Sequence, residues 1–215
     1  MKRLVCAALA VLLLLSSSLT LSSCGGKAPK IEQIYDRVVE LVEASHEINT
    51  VFYGAGLPVY ARDSLYAEFS HLYYNFSQNG YEIVTDYAKF LTIHDIKTAA
   101  EKVYSKAYLE EVLYPMAFEG HAITGIGGVE VAMAKYREDE QWIYQSEDAQ
   151  PLYAGMIVYD YSTMKITRPS NAKACYVTVN AWNEDEPQAV RSVRLRLTLG
   201  DDGNWYLDSF TGGRL

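Results

Sequence analysis

Two hydrophobic periods divide this chain, and the division constrains its fold more than any other sequence feature. From Ile31 to Phe52 the apolar residues recur at steps of three, four or seven, which places them on one face of an α-helix. From Lys173 to Trp182 every second residue is apolar, as on a half-buried strand. Helices followed by antiparallel strands predict a single α+β domain over residues 31–215, with N-terminal helices packed on a bent C-terminal antiparallel sheet.

Further helices are expected before the change of period. Thr92 precedes Asp95 by three residues, a spacing that caps the free amides at a helix start. Ser105 is expected to restart a separate helix, with a buried side formed by Leu109, Val112, Leu113 and Met116. The aromatic-rich run 65–76 fits either a short helix or the first arm of a hairpin, and a strand is expected over residues 81–84.

Strands are expected in the second half of the chain. The four glycines between Gly120 and Gly128 indicate a loop, and strand-like patterns follow it. Leucines alternate with arginines from Val193 to Leu199, and the turn Gly200–Gly203 leads into a final strand that closes a hairpin.

The N-terminus has the three parts of a secretion signal. Lys2 and Arg3 precede an apolar run that ends at Leu15, and a serine-rich stretch follows. The run is too short for a membrane-spanning helix, which needs about 20 apolar residues. The sequence Leu21-Ser22-Ser23-Cys24 resembles the bacterial lipobox, which implies cleavage after residue 23 and a diacylglycerol on Cys24 as the only bound group. Residues 24–30 are then a lipidated N-terminus and short linker, which reaches about 20 Å from the outer face of the cell membrane.

Charge limits the classes of partner. Loss of residues 1–23 leaves 17 of the 19 basic side chains against 27 acidic ones, a formal charge of −10. This excess disfavours nucleic acid, and it also disfavours attachment to anionic lipid through a basic face. It suits a basic extracytoplasmic protein, although an acidic surface also serves solubility.

No catalytic or metal-binding motif is evident. A Ser nucleophile motif is missing, the four histidines are widely spaced, and Cys175 on an inward strand position is expected to be an inert core thiol. Acidic residues cluster in expected turns, where they are candidates for contact with a basic partner: Glu138, Asp139, Glu140, Glu184, Asp185 and Glu186. The 18 tyrosines fit either a binding surface or a filled seam between helices and sheet.

Two family resemblances add to these expectations. The ending Gly200–Thr211 resembles the last hairpin of cystatin-like and NTF2-like domains. The order of Ile93–Lys97, Val103–Leu113, Pro151–Ala154 and the strands to Trp205 is similar to secreted Firmicutes proteins of the IseA type, which inhibit cell-wall DL-endopeptidases. The resemblance implies a non-catalytic protein whose acidic surface docks on a basic peptidase.

The sequence therefore predicts a membrane-anchored, extracytoplasmic lipoprotein that is not an enzyme and binds a protein or cell-wall ligand. The alternative is an NTF2-like domain that binds a small molecule in the concave face of its sheet.

Overall fold

The first helix has the predicted bounds. A computed structural model describes residues 26–60, 80–125, 128–147, 151 and 156–212. Helix α1 (Ile31–Phe52) buries one stripe of side chains, which includes Ile34, Val38, Leu41, Ile48 and Phe52. The 3.6-residue period of the apolar residues is thus the reason that this segment is helical and faces the core.

Short elements follow α1. Strand β1 (Tyr81–Ile83) and helix α2 (Ile93–Ala100) come first, and the Thr92 hydroxyl accepts a hydrogen bond from the Asp95 amide at 3.0 Å, which confirms the predicted cap. Helix α3 (Lys106–Tyr108) begins at the predicted Ser105, whose side chain accepts from the Tyr108 amide. The expected run 65–76 lies outside the described residues.

The helix that Ser105 starts is wound differently from the prediction. Segments Leu109–Leu113 and Pro115–Glu119 are π-helical. Leu109 and Leu113 are buried as expected, whereas the prediction for Val112 is wrong, since its side chain is 39% exposed. The wider π-helical turn changes which positions face the core, and an α-helical period cannot anticipate this.

The predicted loop at Gly120–Gly128 is also wrong. Strands β2 (His121–Gly125) and β3 (Gly128–Ala132) pair antiparallel, with Gly125 opposite Gly128. Their β-branched residues favour extended backbone, which outweighs the expectation of a loop that the glycines gave.

A small three-stranded sheet joins distant parts of the chain. Strands β4 (Tyr136–Glu138) and β5 (Ile143–Ser146) form a hairpin, and β5 also pairs with β1, which gives the order β1-β5-β4. This sheet carries one of the two acidic turns considered below.

The main sheet has four antiparallel strands in the order β6-β7-β8-β9. The strands are β6 (Ile157–Thr167), β7 (Ala174–Asn183), β8 (Arg191–Leu199) and β9 (Trp205–Leu207). The predicted alternation in β7 and the final hairpin are confirmed. The inward side chains pack in one core with those of α1, and those of the central strands and β9 are almost fully buried: Cys175, Val177, Val179, Ala181, Leu195, Leu197 and Leu207. The chain is thus an α+β fold, with an N-terminal helix on a C-terminal four-stranded sheet and a smaller sheet beside it.

Candidate functional site

The acidic turn between β4 and β5 stabilises the fold. Glu138 accepts a hydrogen bond from the Ile93 amide at the start of α2, at 3.2 Å. Asp139 accepts from the amides of Gln141 and Trp142 at 2.9 and 2.8 Å, and from the Tyr144 hydroxyl at 2.7 Å. Partial burial opposes ionisation of Asp139, but these hydrogen bonds outweigh it and hold the carboxyl pKa below its usual value. Two of the three carboxylates in this turn therefore have structural partners.

The second acidic turn, between β7 and β8, is different. Its backbone is held by a hydrogen bond from the Glu184 amide to the Met156 carbonyl and another from the Glu186 amide to the Asn183 carbonyl, at 2.9 and 2.8 Å. The side chains of Glu184, Asp185 and Glu186 are exposed, and within the described part of the chain no hydrogen bond or ion pair engages their carboxylates. We call these three residues the acidic tip.

Exposed apolar side chains flank the acidic tip. Met156, which bonds the Glu184 amide, is 55% exposed, and Val190, which precedes β8, is 52% exposed. One exposed apolar side chain thus lies on each side of the three carboxylates. Isolated exposed apolar residues are common, so the carboxylates remain the distinctive feature of this turn.

The N-terminal segment is attached at the opposite end of the same sheet. The Gly26 carbonyl accepts a hydrogen bond from the Ala172 amide at 3.0 Å, in the turn between β6 and β7. Strand β7 then runs ten residues to the acidic tip. At about 3.3 Å per residue the tip lies about 30 Å from the Gly26 contact.

The two acidic turns belong to different sheets. Residues 138–140 lie on the three-stranded sheet and residues 184–186 on the four-stranded sheet. Three of the six predicted partner-binding residues form the acidic tip, and all three of their carboxylates lack partners among the described residues.

A groove that the sequence did not indicate lies beside β9. It has a volume of about 570 Å³ and runs between residues 101–114 and the turn that joins β8 to β9. Four carboxylates and the rings of two half-buried tyrosines line it, together with one lysine: Glu101, Glu110, Asp201, Asp202, Tyr114, Tyr206 and Lys106. Hydrogen bonds from Tyr206 and Asn204 lower the pKa of Asp202 to about 2.

Tertiary pairing assembles this groove. Tyr104 forms an isolated parallel β-bridge with Leu207, so residues 101–110 lie against a hairpin nearly 100 residues later in the chain. The Asp201-Asp202 pair was visible in the sequence, but its proximity to Glu101 and Glu110 depends on that bridge.

Tyrosines fill the seam between α1 and the sheet. Tyr104 is 1% exposed, and its hydroxyl donates to the Asn49 side-chain carbonyl at 2.5 Å. The Asn49 amide donates to the Thr211 hydroxyl at 2.6 Å, and the Ser45 hydroxyl lies 2.6 Å from the same oxygen. Burial raises the pKa of Tyr104 above its usual value. For this tyrosine the expectation of a filled seam is confirmed.

Cys175 is fully buried on β7, which confirms the expected core position, and this burial raises the pKa of its thiol. Within the described residues, no group of three or more His, Cys, Asp or Glu side chains could hold a metal ion. The helices described in the structure include none that is both long enough and apolar enough to cross a membrane. Cys24 and residues 1–23 lie outside the described residues.

The fold and its surface identify an α+β domain with an acidic tip and an acidic groove, and they identify no more specific class of protein. Comparison with protein-family models, curated proteins and solved structures finds no match to this chain.

Proposed function

We propose that the protein is a non-catalytic, membrane-anchored extracytoplasmic lipoprotein that binds a basic protein or cell-wall ligand through its acidic tip. A basic cell-wall peptidase is the partner class that the IseA-type resemblance favours. We also propose the finer fold assignment, in which the four-stranded sheet is the bent sheet of a cystatin-like or NTF2-like domain.

The position of the acidic tip carries this proposal. Three exposed carboxylates without partners in the described chain lie about 30 Å from the Gly26 contact, and Cys24 precedes Gly26 by only two residues. A lipid on Cys24 would hold the β6–β7 turn near the bilayer, and the tip would extend away from it. A partner in the space outside the membrane could then reach Glu184, Asp185 and Glu186 without contacting lipid.

The packing of the inner sheet face is a further argument for surface binding. Seven inward side chains of β7, β8 and β9 are at most 1% exposed, and they pack against α1. This arrangement leaves little room for a small molecule between helix and sheet. If the alternative function is correct, the groove beside β9 is the better candidate, because its carboxylates and tyrosine rings suit a small organic cation.

Matched charge variants test the proposal. The test variant is Glu184→Gln/Asp185→Asn/Glu186→Gln in the mature chain. The control is Asp36→Asn/Glu111→Gln/Glu119→Gln, which removes three exposed carboxylates elsewhere. The probe is the purified catalytic domain of a basic cell-wall DL-endopeptidase, with affinity and inhibition measured at low and high salt.

We expect the wild-type chain to bind the peptidase, with an affinity that falls as salt rises. The test variant should lose about tenfold or more in affinity, chiefly through slower association, and the control about twofold or less. Salt-independent binding, no binding, or equal losses in the two variants would contradict the proposal for this partner class. Tight binding of a small cation, abolished by Asp201→Asn/Glu110→Gln, would favour the alternative.

A further inference from the structure

Basic residues are segregated on this acidic protein. Segments 25–31, 161–183 and 187–200 contain eight of the chain's 19 Lys and Arg residues and none of its 27 Asp and Glu residues. The last two segments include most of β6, all of β7 and all of β8. The formal charge of the whole chain conceals this local excess.

Four of these residues lie near the attachment point of the N-terminal segment. Lys27 follows Gly26, whose carbonyl is bound by Ala172, and Arg168 and Lys173 lie in or beside the same turn. Arg194 reaches this turn from β8, since its guanidinium donates to the Arg168 carbonyl at 3.0 Å.

Lys165 extends the same surface along the sheet. It lies opposite Thr178, which in turn lies opposite Arg194, so the three residues form one row across β6, β7 and β8. The outward side of this row is the side away from Val177 and Val179, which face α1. All five basic side chains are exposed, and we call them the basic face: Lys27, Lys165, Arg168, Lys173 and Arg194.

Two of the carboxylates near the basic face are engaged by other side chains. Asp208 pairs with Arg196 at 2.8 Å, and Asp202 accepts hydrogen bonds from Asn204 and Tyr206. The turn that holds Asp201 and Asp202 borders the basic face, since the Leu199 amide donates to the Lys173 carbonyl at 2.9 Å.

We propose that the basic face docks on anionic phospholipid headgroups and sets the orientation of the domain on the membrane. The inference rests on the proposed lipid anchor, because Cys24 lies within about 7 Å of Gly26 along the chain and would hold this face next to the bilayer. Charge complementarity identifies the occupant: five exposed cationic side chains, on a protein that is otherwise acidic, meet a surface that is uniformly anionic.

Vesicle binding by the unacylated mature chain tests this inference. Cys24→Ser removes the lipid, so any binding that remains reports the protein surface. The test variant adds Lys27→Gln/Lys165→Gln/Lys173→Gln, three exposed lysines whose side chains make no hydrogen bond or ion pair within the described chain. The control adds Lys89→Gln/Lys102→Gln/Lys106→Gln, which removes equal charge from the helical side.

We expect the Cys24→Ser chain to bind vesicles that contain phosphatidylglycerol and not vesicles of phosphatidylcholine alone. Each basic residue near an anionic surface strengthens binding roughly fivefold, so the test variant should bind roughly 100-fold more weakly. Binding should also disappear at 1 M salt, where the screening length is about 3 Å.

Three results would overturn the inference: no binding to anionic vesicles, equal binding to both kinds of vesicle, or an equal loss in test and control variants. Binding of soluble polyphosphate without binding of vesicles would instead assign the face to an anionic polymer. None of these results depends on the peptidase assay, and the mass of the processed N-terminus tests the lipid anchor separately.

Discussion

The hydroxyl of Tyr104 offers a quantitative test of how α1 is joined to the rest of the domain. Tyr104→Phe removes only this hydroxyl and keeps the buried ring. In the folded state the Asn49 carbonyl, which is 1% exposed, then loses the donor that lies 2.5 Å away, and water cannot easily replace it.

The expected cost follows from burial. A buried acceptor left without a donor costs about 1–3 kcal/mol, so we expect the free energy of unfolding to fall by about 2 kcal/mol. For a domain of this size that corresponds to a fall in Tm of about 4–8 °C. The measurement is urea unfolding followed by circular dichroism, with the same slope required for variant and wild type.

Tyr206→Phe is the matched control. Its hydroxyl donates to Asp202 at 2.7 Å, but both groups are at the surface, where water can substitute. We expect a loss of about 0.5 kcal/mol or less. Adding Thr211→Val to Tyr104→Phe should cost less than the sum of the two single changes, because both act on Asn49. Equal losses for the two tyrosines, or strict additivity, would refute the network.

Other predictions concern single side chains. In urea unfolding, Asp139→Ala should lower the free energy of unfolding by about 1–2 kcal/mol, and the control Glu140→Ala by about 0.5 kcal/mol or less. Because the pKa of Asp139 is lowered in the folded state, its contribution to stability should be lost as pH falls below about 4. Burial lowers the pKa of Lys135 to about 8, so the folded chain loses this proton at a lower pH than the unfolded chain does. Lys135 should therefore make stability rise between about pH 8 and 10, and Lys135→Met should remove that rise from a profile of Tm against pH. The raised pKa of Tyr104 has the opposite effect on stability. Its contribution to stability is complete below about pH 10 and should be lost above it, and Tyr104→Phe should reduce this loss in the same profile. Cys175 should resist iodoacetamide at pH 8 and react only in denaturant, as mass spectrometry would detect; rapid native labelling would contradict its burial.

Local patterns predicted the elements that bury one face. Helix α1 and strand β7 were recognised because their apolar periods of 3.6 and 2 match the surfaces they present to the core. The helix start at Thr92 was recognised because a side-chain cap acts over three residues.

Other features depend on information that local patterns lack. The glycines around the β2–β3 connection indicated a loop, although paired strands flank them. The exposure of Val112 follows from π-helical winding, which the apolar spacing does not encode.

The candidate sites show the same limit. The sequence identified the acidic residues in both turns, but only the structure separates Asp139, which holds its own turn, from Glu184, whose carboxylate is free of partners among the described residues. The groove and the basic face were not predicted, since each joins side chains from segments far apart in the chain. The formal charge of −10 argued against a basic face because a sum over residues carries no positions.

The orientation of the domain on the membrane tests the central claim most directly. Spin labels would be placed at Ala172→Cys, beside Gly26, and at Gln188→Cys, beside the acidic tip, in the acylated mature chain on phosphatidylglycerol vesicles. Buried Cys175 should remain unlabelled. We predict that a lipid-soluble relaxing agent reaches the label at residue 172, and that only a water-soluble agent reaches the label at residue 188, about 30 Å further out. Equal contact of both labels with lipid, or closer contact at residue 188, would contradict the account.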